Sequence, residues 1–254
     1  MDQERFQAAC GAVINQARER KGIGTLSEKT LHAVLKHYFD PCMENHETKI
    51  GPYVADIVGE DGIIEIQTGS FNQMRKKLEV FLSVERVTVV YPIARTRWLT
   101  WVDPETGALS AKRKSPKQGS RYQAFFELYR IKQLLTHKNL DLCIVMLDME
   151  EYRFLNGWDA KRKRGASRME RIPLALIDEI RITSSQDYIK LIPLTVPPLF
   201  TTRDYAAAAG VHLAQAQTAL NVLHYVGCVR RTGKQGGLWE YEIVRDETIE
   251  SQMA

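Results

Sequence analysis

Apolar residues recur at helical spacing from the start of the chain. Phe6, Ala9, Val13, Ile14 and Ala17 predict a helix over residues 2–20, which Gly22 and Gly24 end. A second helix follows, capped by Thr25 or Ser27. Leu31, Val34, Leu35 and Tyr38 form one of its faces, and Asp40-Pro41 stops it because the residue before a proline disfavours helical backbone. The period then falls from 3.6 to 2. Residues 47–50 read as a short strand, broken by Gly51-Pro52. Residues 53–58 and 63–68 read as two strands joined by the turn Glu60-Asp61-Gly62. Helical spacing returns over 71–82, with Met74, Leu78, Phe81 and Leu82 inward, and a valine-rich strand covers 87–93.

Beyond this point, residues 98–102 and 109–112 flank Asp103-Pro104-Glu105-Thr106-Gly107 and predict a hairpin. A helix is expected over 122–135, with Phe125, Phe126, Tyr129 and Leu134 as core, and a buried strand over 140–147. Residues 157–171 are polar and basic and read as a loop or linker. Pro193, Pro197 and Pro198 punctuate the approach to a last module. The expected division is an α/β domain over 1–156, a basic connecting stretch over 157–198, a small α+β domain over 199–245 and a tail over 246–254.

Composition narrows the class. The 254 residues are 44% hydrophobic and 26% charged, a balance that supports a packed core and argues against wholesale disorder. Cys10, Cys42, Cys143 and Cys228 have no metal-ligand spacing and lie in or beside apolar stretches, so they read as thiols of a reducing compartment. No secretory pattern opens the chain, and no apolar run nears the roughly 20 residues that span a bilayer, so the expectation is a cytoplasmic protein with no membrane partner. The net charge of +4 says little until its distribution is seen. Lys112, Arg113, Lys114, Lys117 and Arg121 form one basic run. Lys161, Arg162, Lys163, Arg164, Arg168 and Arg171 form another. Each alone suits a solvated loop; two together suit a surface that contacts phosphate, with Trp98, Trp101 and Trp158 nearby as stacking or core residues.

Two carboxylates stand out. Asp56 interrupts an apolar strand, and Glu65 sits between Ile64 and Ile66 in the next one. A buried carboxylate is costly unless it is paired or binds a metal. Strand alternation sets Glu65 and Gln67 on one face. Carboxylates that converge there have the oxygen chemistry that Mg²⁺ and Mn²⁺ prefer. A carboxylate pair solvated or salt-bridged to Lys49 or Arg75 is the plain structural alternative.

The order of elements from residue 25 to 93, helix with Glu28, strand, strand with Asp56, strand with Glu65-Ile66-Gln67, helix, strand, resembles the PD-(D/E)xK, or restriction-endonuclease-like, superfamily. The resemblance implies an αβββαβ core. Asp56, Glu65 and the Ile66 carbonyl would hold Mg²⁺ or Mn²⁺, and Glu28 would bind a second ion or a metal-bound water. Ala55 stands where the family has proline, and Gln67 where it has lysine. A neutral amide supplies no charge, so either another cation substitutes, with Lys76, Lys77, Lys49 or Lys29 as candidates, or activity is weakened or lost. Cutting both strands of DNA would need two such sites, which a homodimer provides.

Residues 200–244 resemble a winged helix-turn-helix. Thr202 would cap a helix over 203–209, Gly210 supplies the turn, and a second helix over 212–225 ends at Gly227. Strands over 229–232 and 238–244 flank the glycine-rich tip 233–237. The resemblance implies that His212, Gln215, Gln217, Thr218 and Asn221 face a DNA groove and that Arg230, Arg231 and Lys234 meet phosphate. The function implied is metal-dependent DNA cleavage targeted by the winged helix. The rivals are a non-catalytic DNA-binding or regulatory protein on a decayed nuclease core, and a module that binds a protein partner.

Overall fold

The computed structural model describes residues 1–15, 29–155 and 168–245. The architecture is mixed α/β, with one large mixed sheet, a small second sheet and several helices. The chain divides into two compact units. The first comprises residues 1–68, 90–120 and 145–179; the second comprises 69–89, 121–144 and 180–254.

The first unit opens with α1 (Gln3–Cys10), whose Asp2 side chain accepts the Arg5 N–H as an N-cap. The helix expected over 2–20 changes to a π-helical turn at Gly11–Asn15, and its expected glycine stop lies outside the described residues. Helix α2 (Lys29–Phe39) follows, with Leu31, Val34 and Leu35 fully buried and Tyr38 nearly so. Phe6 meets Tyr38 edge-on at 5.8 Å, which ties the two helices together. Then come β1 (His46–Ile50), β2 (Tyr53–Gly59) and β3 (Gly62–Ile66), an antiparallel meander. Gly62, at φ 96°, makes the tight turn that the Asp61-Gly62 pair predicts.

Strand β4 (Val87–Val102) is one long element rather than the two predicted. It continues through Arg95 because that guanidinium and the Thr96 N–H both reach the Asp148 carboxylate, so polar residues cost the strand little. The expected hairpin survives in altered form: β5 (Arg113–Lys114) pairs with Trp98 and Leu99, and Val102 bridges Leu109. Gly119 then runs against β4 so closely that a Cβ there would lie 2.1 Å from the Ala94 carbonyl oxygen. Strand β6 (Leu140–Phe154) is almost continuously buried, and β7 (Arg168–Ile182) pairs beside it. The strands order as β1-β2-β3-β4-β6-β7, with β5 against β4.

In the second unit, α3 (Arg75–Leu82) buries Leu78, Phe81 and Leu82, as its spacing predicts. The helix expected over 122–135 is broken instead. A short α4 (Ala124–Leu128) lies between 3-10 turns at Arg121–Gln123 and Tyr129–Leu134, and Ile131 is non-helical. The change of pitch rotates the face. Phe125, Leu128, Ile131 and Leu135 are buried, whereas Phe126 and Tyr129, expected in the core, are about half exposed and Leu134 is intermediate.

The C-terminal part is a helix–turn–helix–hairpin. Strand β8 (Leu199–Thr201) leads into α5 (Thr202–Ala209), and α6 (Leu213–Tyr225) precedes β9 (Val229–Gln235) and β10 (Leu238–Ile243). These strands form a separate sheet in the order β8-β10-β9. The cap of α5 is Thr201, not Thr202, and its hydroxyl forms a reciprocal capping box with Asp204. Gly210 holds the left-handed turn at φ 63°. Fully buried Tyr205 donates its hydroxyl to the Leu191 carbonyl at 2.9 Å, anchoring this helix pair. Burial pushes the thiols of Cys10 and Cys228 up to about 11 and about 12, which suits packing residues.

Candidate functional site

The ladder between β2 and β3 runs from Gly59↔Gly62 to Ile57↔Ile64. One step further along the same register sets Asp56 opposite Glu65, on one face of the hairpin. There the side chains take over the cross-strand bonding. Glu65 Oε1 accepts the Asp56 N–H at 3.1 Å, and Asp56 Oδ2 accepts the Ile66 N–H at 2.8 Å. Glu65 is 5% exposed, and the Asp56 side chain 17%. The two carboxylates expected to converge are therefore brought together, each tied to the other's strand. Gln67 follows the end of β3, and its N–H donates to the Val90 carbonyl at 2.9 Å, continuing the sheet.

A residue that the sequence reading passed over completes this cluster. His32, on α2, sets Nε2 3.0 Å from Asp56 Oδ2. One turn later Lys36 reaches Glu47 of β1 at 2.8 Å, so the polar side of α2 lies along the meander while its apolar side is buried. The Glu47 carboxylate is held below its ordinary range, first by this Lys36 hydrogen bond. The signal in the sequence was the pair His32 and Lys36, four apart and opposite acidic strand positions.

Glu28, the third predicted carboxylate, and Lys161, Arg162, Lys163 and Arg164 lie outside the described residues, as does Trp158. Among the described residues no group of three His, Cys, Asp or Glu side chains is arranged to hold a metal ion. Asp56 and Glu65 bring together two carboxylates, the oxygen donors that Mg²⁺ takes one or two of alongside water and phosphate. Lys76 and Lys77 lie on α3, in the second unit. Lys76 is exposed, and Lys77 Nζ is 5.4 Å from the Phe81 ring centroid.

Of the first basic run, Lys112 pairs with Glu150 at 3.1 Å and lies 5.7 Å from the Trp98 ring, while Arg113, Lys114 and Lys117 are exposed. The second run is not the uniform surface loop predicted. Arg168 pairs with buried Glu151 at 3.6 Å, and Arg171 is 8% exposed, because both belong to β7. The same strand carries Glu170, 1% exposed. Its Oε1 accepts the Arg171 N–H at 3.0 Å, and Thr30, at the start of α2, donates to it from backbone and side chain. Its Oε2 has no hydrogen-bond partner. Burial pushes this carboxyl up to about 7, against the opposing pull of those bonds.

On α6, Gln215 donates to the Tyr122 carbonyl at 3.1 Å, Thr218 back-bonds to Ala214, and Asn221 accepts from Lys132 at 3.0 Å. His212 and Gln217 are exposed. Two of the five residues expected to face a groove are thus engaged by the chain's own α4 region. On the hairpin, Arg230 is paired with Glu242, whereas Arg231 and Lys234 lie over Trp239.

Residues 29–183, more than half of the chain, match the family described as domain of unknown function (DUF8091). The chain belongs to that family. It is also similar to an uncharacterized protein of Treponema pallidum (strain Nichols), 30% identical over 212 residues that cover 83% of this chain and 81% of that protein. The family match runs from the start of α2 to the end of β7 and so contains Asp56, Glu65 and His32. The relative's coverage extends beyond that segment. No solved structure matches the chain. No helix among the described residues is long and apolar enough to cross a membrane.

Proposed function

We propose that the chain acts on DNA as a metal-dependent phosphodiesterase of the PD-(D/E)xK type, with a winged helix as its second nucleic-acid module. The observation that carries this reading is the opposed pair Asp56 and Glu65, nearly buried where β2 and β3 exchange backbone pairing for side-chain pairing. Support comes from the surrounding order: helix, three antiparallel strands, helix, strand, with β4 next to β3. The β8-α5-α6-β9-β10 segment supports the winged-helix part.

Asp56, Glu65 and the Ile66 carbonyl would hold Mg²⁺ or Mn²⁺. When bound, such an ion acidifies a water and offsets charge on the scissile phosphate. His32 fixes the Asp56 carboxylate from the helix side, and the two backbone N–H groups fix it and Glu65 from the strands. Gln67 can orient a water through its amide but brings no charge.

That neutral residue favours one alternative, a non-catalytic DNA-binding protein on the same core. Divalent-ion calorimetry tests the site itself. Mn²⁺ binding is expected in the native chain and is expected to vanish in Asp56→Asn and Glu65→Gln. Binding unchanged by both substitutions would remove the metal site from the account.

A further inference from the structure

We propose that the Trp239 face of the β9–β10 hairpin is a seat for unpaired DNA nucleotides. This inference rests on the DNA reading above and names the form of DNA engaged.

Cross-strand pairing gives the hairpin two unlike faces. Lys234 pairs directly with Trp239, and Arg231 with Tyr241. A register shift between Glu240 and Tyr241 leaves Thr232 as an extra residue, so Lys234 and Arg231, three apart, both come to the Trp239–Tyr241 face, while Arg230, Glu240 and Glu242 lie on the other. The second face is electrostatically closed: Arg230 bonds Glu242, and Thr232 Oγ1 donates to Glu240 at 3.4 Å. On the first face both cations lie over aromatic rings. Arg231 is 4.6 Å from the Trp239 ring centroid and 5.9 Å from that of Tyr241, and Lys234 Nζ is 4.7 Å from Trp239. Neither cation makes an ion pair among the described residues. Both are exposed, and Trp239 is 42% exposed.

A tryptophan of that size left open costs hydrophobic stability, and two cations beside it without carboxylates lack charge compensation. One ligand chemistry meets both needs: a planar base to stack on the indole or guanidinium, joined to phosphates for Arg231 and Lys234. Paired bases in a duplex bury their faces in the stack, so the aromatic half of this site favours an unpaired nucleotide. The left-handed glycines at the tip, Gly236 and Gly237 (φ 55° and 81°), put no side chain between the ligand and the ring.

The test is fluorescence anisotropy with the full chain, using a single-stranded oligonucleotide and a blunt duplex of the same sequence. The native chain is expected to bind the single strand more tightly. Trp239→Ala is expected to weaken single-strand binding about tenfold to a hundredfold, with little effect on the duplex, and Trp239→Phe to retain most of the affinity. Arg231→Gln with Lys234→Gln is expected to flatten the single-strand salt slope by about 1.4. Unfolding midpoints of the variants check that the hairpin is intact. Equal affinity for the two DNAs, or native single-strand binding by a folded Trp239→Ala chain, overturns this inference alone. No binding to either DNA overturns it together with the DNA reading.

Discussion

Glu170→Gln should change how stability depends on pH. The native carboxyl is 1% exposed and titrates near 7 in the fold, against an ordinary value of 4.5. Its folded state therefore holds the proton more tightly than its unfolded state. The stability that this proton contributes is fully present below pH 4.5 and is lost as pH rises through 7. A difference of about 2.5 units, at about 1.36 kcal/mol each, makes the loss about 3 kcal/mol. Glutamine keeps the oxygen that accepts from Arg171 and Thr30 but cannot ionise. Urea unfolding at pH 5 and pH 8 measures the effect. The native chain should lose about 2.5 kcal/mol more than the variant between these values, part of the total being already lost at pH 5, so the variant gains relative stability at pH 8. Parallel pH dependences would refute the reasoning and mean that Glu170 ionises freely in the fold.

Gly119→Ala should lower stability by about 2 kcal/mol or more, read as a reduced unfolding midpoint, because the new methyl group would meet the Ala94 carbonyl of β4. Thr201→Ala removes half of the capping box of α5 and should cost about 1 kcal/mol, measured by thermal unfolding. Gln67→Lys introduces a cation just past the end of β3, two residues beyond Glu65. It should preserve or raise metal-dependent cleavage, and a switch from no cleavage to cleavage would identify the native core as a decayed nuclease.

Much of the first half of the chain was readable because its local signals agreed. The period changes at Asp40-Pro41, returns to helical spacing at Phe71, and an Asp-Gly turn marks the register that brings Asp56 to Glu65. Where local signals fail, tertiary partners explain it. Arg95 lies in the gap between the strands predicted over 87–93 and 98–102, but Asp148 satisfies it, so β4 runs on. The start of β7 looked like a basic linker, yet Arg168 and Glu170 sit in a sheet beside Glu151 of β6. Phe126 and Tyr129 fall on the predicted inner face of a continuous helix, but the segment is broken into short pieces that bury Phe125, Leu128 and Ile131 instead. His32 gave a weak signal, since a polar residue on an amphipathic helix ordinarily faces water. Trp239 was hidden because the period-2 pattern of β10 shows which residues share a face but not that both cations across from it lack carboxylates.

The decisive measurement is nicking of supercoiled plasmid by the purified full chain with Mg²⁺ or Mn²⁺, beside Asp56→Ala, Glu65→Gln and a chelator control. Conversion of supercoiled to open-circular DNA is predicted for the native chain, with loss in each variant and with chelator. DNA binding should persist in the variants, because neither carboxylate belongs to the β9–β10 hairpin. Cleavage that survives in Asp56→Ala, or a native chain that binds DNA and never nicks it with either ion, would contradict the claim that Asp56 and Glu65 form a working phosphodiesterase site.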